Sequence, residues 1–193
     1  MKKIGIVGED YQNDACAFGF LMTPQYKEDI QFIPIVKKPN TGIKKLSGLI
    51  LSQIEDKKLD AVICLKDLDT YPELSEKEEW FRDLNKIIKK GVFYLVVMEF
   101  EALLLADSEN INTVLNLKNK INYKGNPIKE PDPKKYLMTN TNEKYKENES
   151  SRLCKTISFE KVYKNHKGED SFADFIDRFE EQFIPKDKRL KKI

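Results

Sequence analysis

The chain has 193 residues, 40% hydrophobic and 34% charged, with 34 Lys and Arg against 32 Asp and Glu and a formal net charge of +2. That length suits one domain with an elaboration, and the near-balanced charge excludes a global basic field, so any polyanion site must come from local clustering. No segment approaches the roughly 18–20 apolar residues of a membrane span.

The apolar run Ile4–Val7 predicts a first strand rather than a signal segment, because it stops at Gly8-Glu9-Asp10. Asn13–Met22 carries Ala15, Cys16, Ala17, Phe18, Phe20, Leu21 and Met22 in a helical pattern that Thr23-Pro24 closes. Ile30–Val36 predicts a second strand, followed by the basic turn from Lys37 to Gly42. Asn40 or Thr41 caps the next helix, whose apolar positions Ile43, Leu46, Leu49, Ile50 and Ile54 recur at helical spacing. Leu59–Leu65 predicts a third strand, and Pro72 follows its acidic tip. Ser75-x-x-Glu78 has the form of a capping box for a helix over 76–90, with Trp80, Phe81, Leu84, Ile87 and Ile88 on one face and Gly91 at its C-terminal stop. Val92–Met98 predicts a fourth strand, and Glu99–Asp107 a short helix.

This alternation predicts an α/β fold: a mainly parallel four-stranded, Rossmann-like sheet with flanking helices over residues 1–108, and a mainly helical extension over 109–193 packing on it. In the extension, 110–126 reads as polar and partly helical, 127–133 as a break, and Pro133–Met138 as a helix start. Residues 140–151 read as a mobile loop, and Phe159–Tyr163 and Ser171–Phe183 as amphipathic helices. The phenylalanines of the latter read as packing residues. The basic tail from Lys186 to Lys192 reads as frayed. Three dispersed cysteines (Cys16, Cys64, Cys154) without a CxxC pair argue for a reducing, cytoplasmic setting.

Acidic residues stand at the ends of three strand-like runs: Glu9, then Asp67 and Asp69, then Glu99 and Glu101. In an open parallel sheet, ligands collect at the carboxyl ends of the strands. Period-2 geometry points Asp67 and Asp69 the same way, with Lys66 and Leu68 to the other face. Carboxylates gathered there need a cation, and an all-oxygen set suits Mg²⁺ or Mn²⁺. The competing reading makes Asp67 and Asp69 ordinary loop residues and Glu99 and Glu101 helix N-terminal acids. Lys37, Lys38, Lys44 and Lys45 flank a helix start at the end of the second strand and form a candidate phosphate seat; the alternative is a solvated lysine face. Lys134 and Lys135 behind Pro133 offer a second phosphate contact. Asp107 reads as a helix-end residue. His166 is the only histidine and reads as incidental, which excludes Ser-His, Cys-His and His-metal sites. No GxGxxG or P-loop sequence is present.

The sequence of an apolar strand, Gly8-Glu9, a helix, and then an apolar strand with Lys66-Asp67-Leu68-Asp69 resembles a Toprim domain, the fold of topoisomerases, bacterial primases, small maturation ribonucleases and OLD-family nucleases. Met98-Glu99-Phe100-Glu101-Ala102 through Asp107, Asn126-Pro127 with Glu130, Pro133-Lys134-Lys135-Tyr136-Leu137 and Ser171-Phe172 resemble segments of a bacterial Toprim-like family designated domain of unknown function 4276. Leu103 stands where that family usually has Trp, and Asp10 and Asn13 depart from its Gly and acid after the first Glu, leaving Asp14 as the nearest acid.

The resemblance implies a Mg²⁺-dependent nuclease acting on DNA or RNA. Asp67 and Asp69 would hold the metal, Glu9 would bind it or take a proton, and Glu99 or Glu101 would complete the set. It also implies a partner ATPase of ABC or AAA type in a bacterial defence or toxin-like system, for which the phenylalanine-rich last helix is a candidate docking surface. The alternatives are a non-catalytic Toprim-shaped module that binds a partner protein or nucleic acid, and a flavodoxin-like domain for a small phosphorylated ligand. Homo-oligomerisation stays open.

Overall fold

The computed structural model describes residues 1–37, 43–67, 74–88, 92–97 and 99–190, with 74–78, 80 and 92–97 as backbone only. Lys38, Asn40, Thr41, Asp69, Pro72 and Gly91, and the side chain of Trp80, therefore lie outside the described part.

An all-parallel open sheet lies between two layers of helices. Its strands are β1 (Lys2–Val7), β2 (Ile30–Pro34), β3 (Ala61–Asp67) and β4 (Val92–Val97), in the order β2-β1-β3-β4. Register pairs Ile4 with Phe32 on one side and with Ala61 on the other, and Asp67 with Val97. The order changes direction at β1, which has a neighbour on each side. The carboxyl ends of β1 and β3 therefore flank the crevice where open α/β sheets place ligands.

Side-chain alternation divides the strands between two cores. Ile4, Ile6, Ala61, Ile63 and Leu65 face one layer, in which α1 (Ala17–Tyr26) supplies Phe18, Leu21, Met22 and Tyr26. Val7, Val62 and Cys64 face the other, packed by Leu46, Ile50 and Ile54 of α2 (Ile43–Lys57) and by Phe81, Leu84 and Ile88 of α3 (Leu74–Ile88). These helical positions recur every three or four residues, which puts them on one face.

The first layer is completed by α4 (Glu101–Leu105), α5 (Ser108–Val114), α6 (Pro133–Asn140), α7 (Ser150–Cys154), α8 (Phe159–Asn165) and α9 (Phe172–Phe183). Leu103, Ile111, Leu137, Leu153, Val162 and Phe175 join Ile4 and Ile6 in one continuous core. The C-terminal residues thus cover the face of the sheet that α2 and α3 leave open.

Four details depart from the sequence expectation. Pro24 does not close α1, which continues to Tyr26. Residues 141–151 form a packed strap, because Tyr145 and Thr141 are buried and a 3₁₀ turn spans Glu147–Glu149. Phe172, Phe175, Phe179 and Phe183 are buried against α1 and the sheet, so α9 offers them to no partner. The tail is held as far as Leu190, whose N–H donates at 2.8 Å to Oε2 of the buried Glu180, while the Arg189 guanidinium donates to the carbonyl of Glu181. A buried carboxylate must find donors, and the backbone of the tail supplies one.

Candidate acidic cleft

After Val7 the chain passes Gly8 and turns at once into a π-helical turn, Tyr11–Cys16, that leads into α1. Asp10 caps it: Oδ1 accepts from the N–H groups of Gln12 (2.8 Å) and Asn13 (2.6 Å). Asp14 reaches back, its Oδ2 accepting from the Asp10 N–H at 2.6 Å, which is a reciprocal cap of the capping-box type. Gly8 makes this possible, since a Cβ there would overlap the Cβ of Asp14 and come within 3.0 Å of the Ala15 nitrogen. The tight turn folds Asn13 and Asp14 back over the end of β1.

The result is a cleft of about 260 Å³ at the carboxyl end of the sheet. Glu9, Asp10, Asn13 and Asp14 line it from β1 and the turn, Asp67 from the last residue of β3, and Glu99, Phe100 and Glu101 from the segment after β4. Lys134, Glu147 and Ser150 close it from α6 and the strap. Of the predicted acids, Glu9, Asp67, Glu99 and Glu101 all reach this one cleft. Asp69 lies outside the described residues. Sequence reasoning did not place Asp10, Asn13, Asp14 and Glu147 in the site. Asp14 had a signal, as the next acid after Asp10 at the spacing of one helical turn.

The electrostatics follow from crowding. Burial pushes the Asp14 carboxyl up to about 6, and the charges of Asp10, Glu101 and Glu9 add to it, although its bond from the Asp10 backbone pulls the other way. Glu99 is also raised, first by burial; its Oε2 accepts from the Lys134 N–H at 2.8 Å, which opposes the rise. Glu101 is buried and accepts from the Tyr145 hydroxyl at 2.7 Å. Two cations enter the rim: Lys66 pairs with Glu9 at 2.5 Å, and Lys134 pairs with Glu147. Lys66, expected on the face opposite Asp67, thus also reaches the site.

The described lysines of the predicted phosphate seat, Lys37, Lys44 and Lys45, do not line this cleft. Lys37 lines a separate cleft beside α2, and Lys44 is exposed on the first turn of α2. Among the described residues, Lys134 is the lysine that lines the acidic cleft. His166 is buried. Its Nδ1 accepts from the Phe172 N–H at 3.0 Å, and burial lowers it to about 4. Asp107 caps α5 and also accepts from the Ser158 N–H and from Lys161, a structural role.

Whether these residues suit a divalent cation is decided by their donors. The set is all oxygen, as a hard cation requires. Asn13 Oδ1 is buried with no hydrogen-bond partner, an orphaned acceptor at the edge of the carboxylates. In chemistry the residues fit. Among the described residues, no three acidic, histidine or cysteine side chains converge closely enough to hold an ion between them. Binding would therefore draw the carboxylates inward.

No helix among the described residues is long and apolar enough to cross a membrane. No protein-family model, no curated protein and no solved structure matches this chain.

Proposed function

We propose that this chain is a divalent-metal-dependent phosphodiester hydrolase of Toprim type, with DNA or RNA as substrate. The observation that supports it is the gathering of Glu9, Asp14, Asp67, Glu99 and Glu101 from three strand ends around one cleft, with the unpartnered Asn13 oxygen beside them. Asp67, Glu101 and Asn13, joined by Asp69 two positions beyond Asp67 in the sequence, would hold Mg²⁺ or Mn²⁺. The bound ion would neutralise the scissile phosphate and the leaving oxygen.

The chain's own groups have separable tasks. Asp14, with a proton affinity near neutrality, accepts a proton from the attacking water. Lys66 holds Glu9 in place and presents a cation at the rim, and Lys134, paired with Glu147, presents another. The Lys134 N–H orients Glu99. The chain carries no nucleotide fingerprint, so any ATP-driven step in this reading belongs to a partner ATPase.

One observation favours the non-catalytic alternative. Glu9 and Glu147 already have lysine partners, so part of the acidic charge is compensated without a metal. The two readings separate on metal dependence. Calorimetric titration with Mg²⁺ and Mn²⁺, with cleavage of labelled single- and double-stranded DNA and RNA, is run on the wild type, Asp67→Asn and Glu101→Gln. Saturable binding and cleavage, both lost in the variants while urea unfolding stays cooperative, support the hydrolase. A wild type that binds no cation at millimolar concentration, or an Asp67→Asn variant that cleaves normally, overturns it.

A further inference from the structure

A second cleft, of about 450 Å³, opens between the end of β2 and α2. Tyr11 and Pro34 line it, Leu49 and Gln53 come from α2, and Lys37 and Lys57 bring positive charge. The described lining contains no carboxylate, so its sign is opposite to that of the acidic cleft. The Lys37 ammonium stands 5.9 Å from the centre of the Tyr11 ring, and Leu49 is 39% exposed. Val36, also in the lining, holds φ at 57°, which is costly for a β-branched residue and persists only where the surroundings enforce it.

The two clefts share one piece of backbone. The π-helical turn gives Asn13 and Asp14 to the acidic cleft and Tyr11 to the basic one. We infer that the basic cleft seats one nucleotide of an unpaired nucleic-acid strand that continues over this turn into the acidic cleft. A nucleotide combines what the lining can recognise: a flat π face for Tyr11 and Leu49, edge groups for Gln53, and phosphates for Lys37 and Lys57. A volume of this size is ordinary for a ligand pocket. A base inside a duplex is stacked on its neighbours and cannot reach the Tyr11 ring, so the seat selects unpaired strands. The inference rests on the hydrolase reading only for the direction in which the strand runs.

The test is fluorescence anisotropy on the Asp67→Asn protein with Mg²⁺, where cleavage does not intrude, using a labelled oligothymidylate or oligouridylate of about 15 nucleotides. Tyr11→Ala is expected to weaken binding by about 5- to 100-fold, and Tyr11→Phe, which keeps the ring, to bind as the parent does. Lys37→Ala/Lys57→Ala on the solvent side is expected to weaken binding and to flatten the slope of log K against log salt by about 1.4, two single-strand phosphate contacts. That double variant carries the test if Tyr11→Ala fails to fold.

Equal binding of a blunt duplex, displacement by polyglutamate as readily as by oligonucleotide, or no response to these variants overturns the seat. No binding of any oligonucleotide overturns it too. Loss of binding in the variants, with a wild type that cuts nothing in Mg²⁺ or Mn²⁺, leaves the seat standing and removes the hydrolase alone.

Discussion

The hydroxyl of Tyr145 donates at 2.7 Å to Oε1 of Glu101, joining two buried side chains that are 44 residues apart in the chain. Ser150 Oγ lies 3.0 Å from the same hydroxyl. Burial, and then the charge of Glu101, push the Tyr145 hydroxyl well above the ordinary tyrosine range, so it stays a donor. This contact fastens the strap of residues 141–151 to the acidic cleft. Tyr145→Phe keeps the ring and removes one donor from a buried carboxylate. The expected loss is about 1–3 kcal/mol in urea unfolding. An unchanged midpoint would mean that the strap is held elsewhere.

Gly8→Ala tests the turn that carries Asp14. The added methyl meets the Cβ of Asp14 and the backbone of Ala15, neither of which can rotate away. A destabilisation of about 1–3 kcal/mol is expected, with weakened Mg²⁺ binding as Asn13 and Asp14 shift. Calorimetry on the folded variant checks the second effect. Full stability with full metal affinity would show that the close approach of Gly8 to Asp14 is not needed.

Asp14 makes stability depend on pH with an unusual sign for an acid. Its folded value is raised to about 6 from an ordinary 3.8, so between these values the folded state binds more protons than the unfolded one. The metal-free protein therefore loses stability as pH rises from about 4 to about 6, by an amount of order 3 kcal/mol. Asp14→Asn is expected to raise metal-free stability at pH 7–8 and to show little gain near pH 4. Cation affinity should fall as pH drops through about 6 in the wild type, because the ion competes with that proton. A pH-independent gain in the variant would contradict the assignment.

His166 pulls in the opposite direction. Burial lowers it from 6.5 to about 4, so the unfolded chain takes up a proton first as pH falls. Its contribution is complete above about 6.5 and declines as pH falls toward 4, by an amount of order 3 kcal/mol. His166→Asn retains an acceptor for the Phe172 N–H and should remove this decline. Between pH 4 and 6 the Asp14 and His166 effects oppose each other, so only the single variants resolve them. Identical pH profiles for wild type and His166→Asn would rule out this role.

Periodicity and strand-end chemistry were enough to read the order of elements through α4, the alternating apolar positions of β1 and β3, and the arrival of Glu9, Asp67, Glu99 and Glu101 at one end of a parallel sheet. These are local properties: a strand must alternate, a helix must recur, and a parallel sheet must put its carboxyl ends together. The strap of residues 141–151 was illegible because its order rests on Tyr145 meeting Glu101, a contact no local pattern encodes. The tail was illegible for the same reason, since Glu180 accepts from the Leu190 backbone only once α9 is packed. Lys37 and Lys44 share a basic stretch with nothing in sequence to say which cleft each would meet, whereas the order β2-β1-β3-β4 sets Lys37 across the π-helical turn from the acids. The sequence by itself determined which residue types stand at the strand ends. Tertiary structure alone decided which of them are buried together, and burial is what moves the proton affinity of Asp14 toward neutrality.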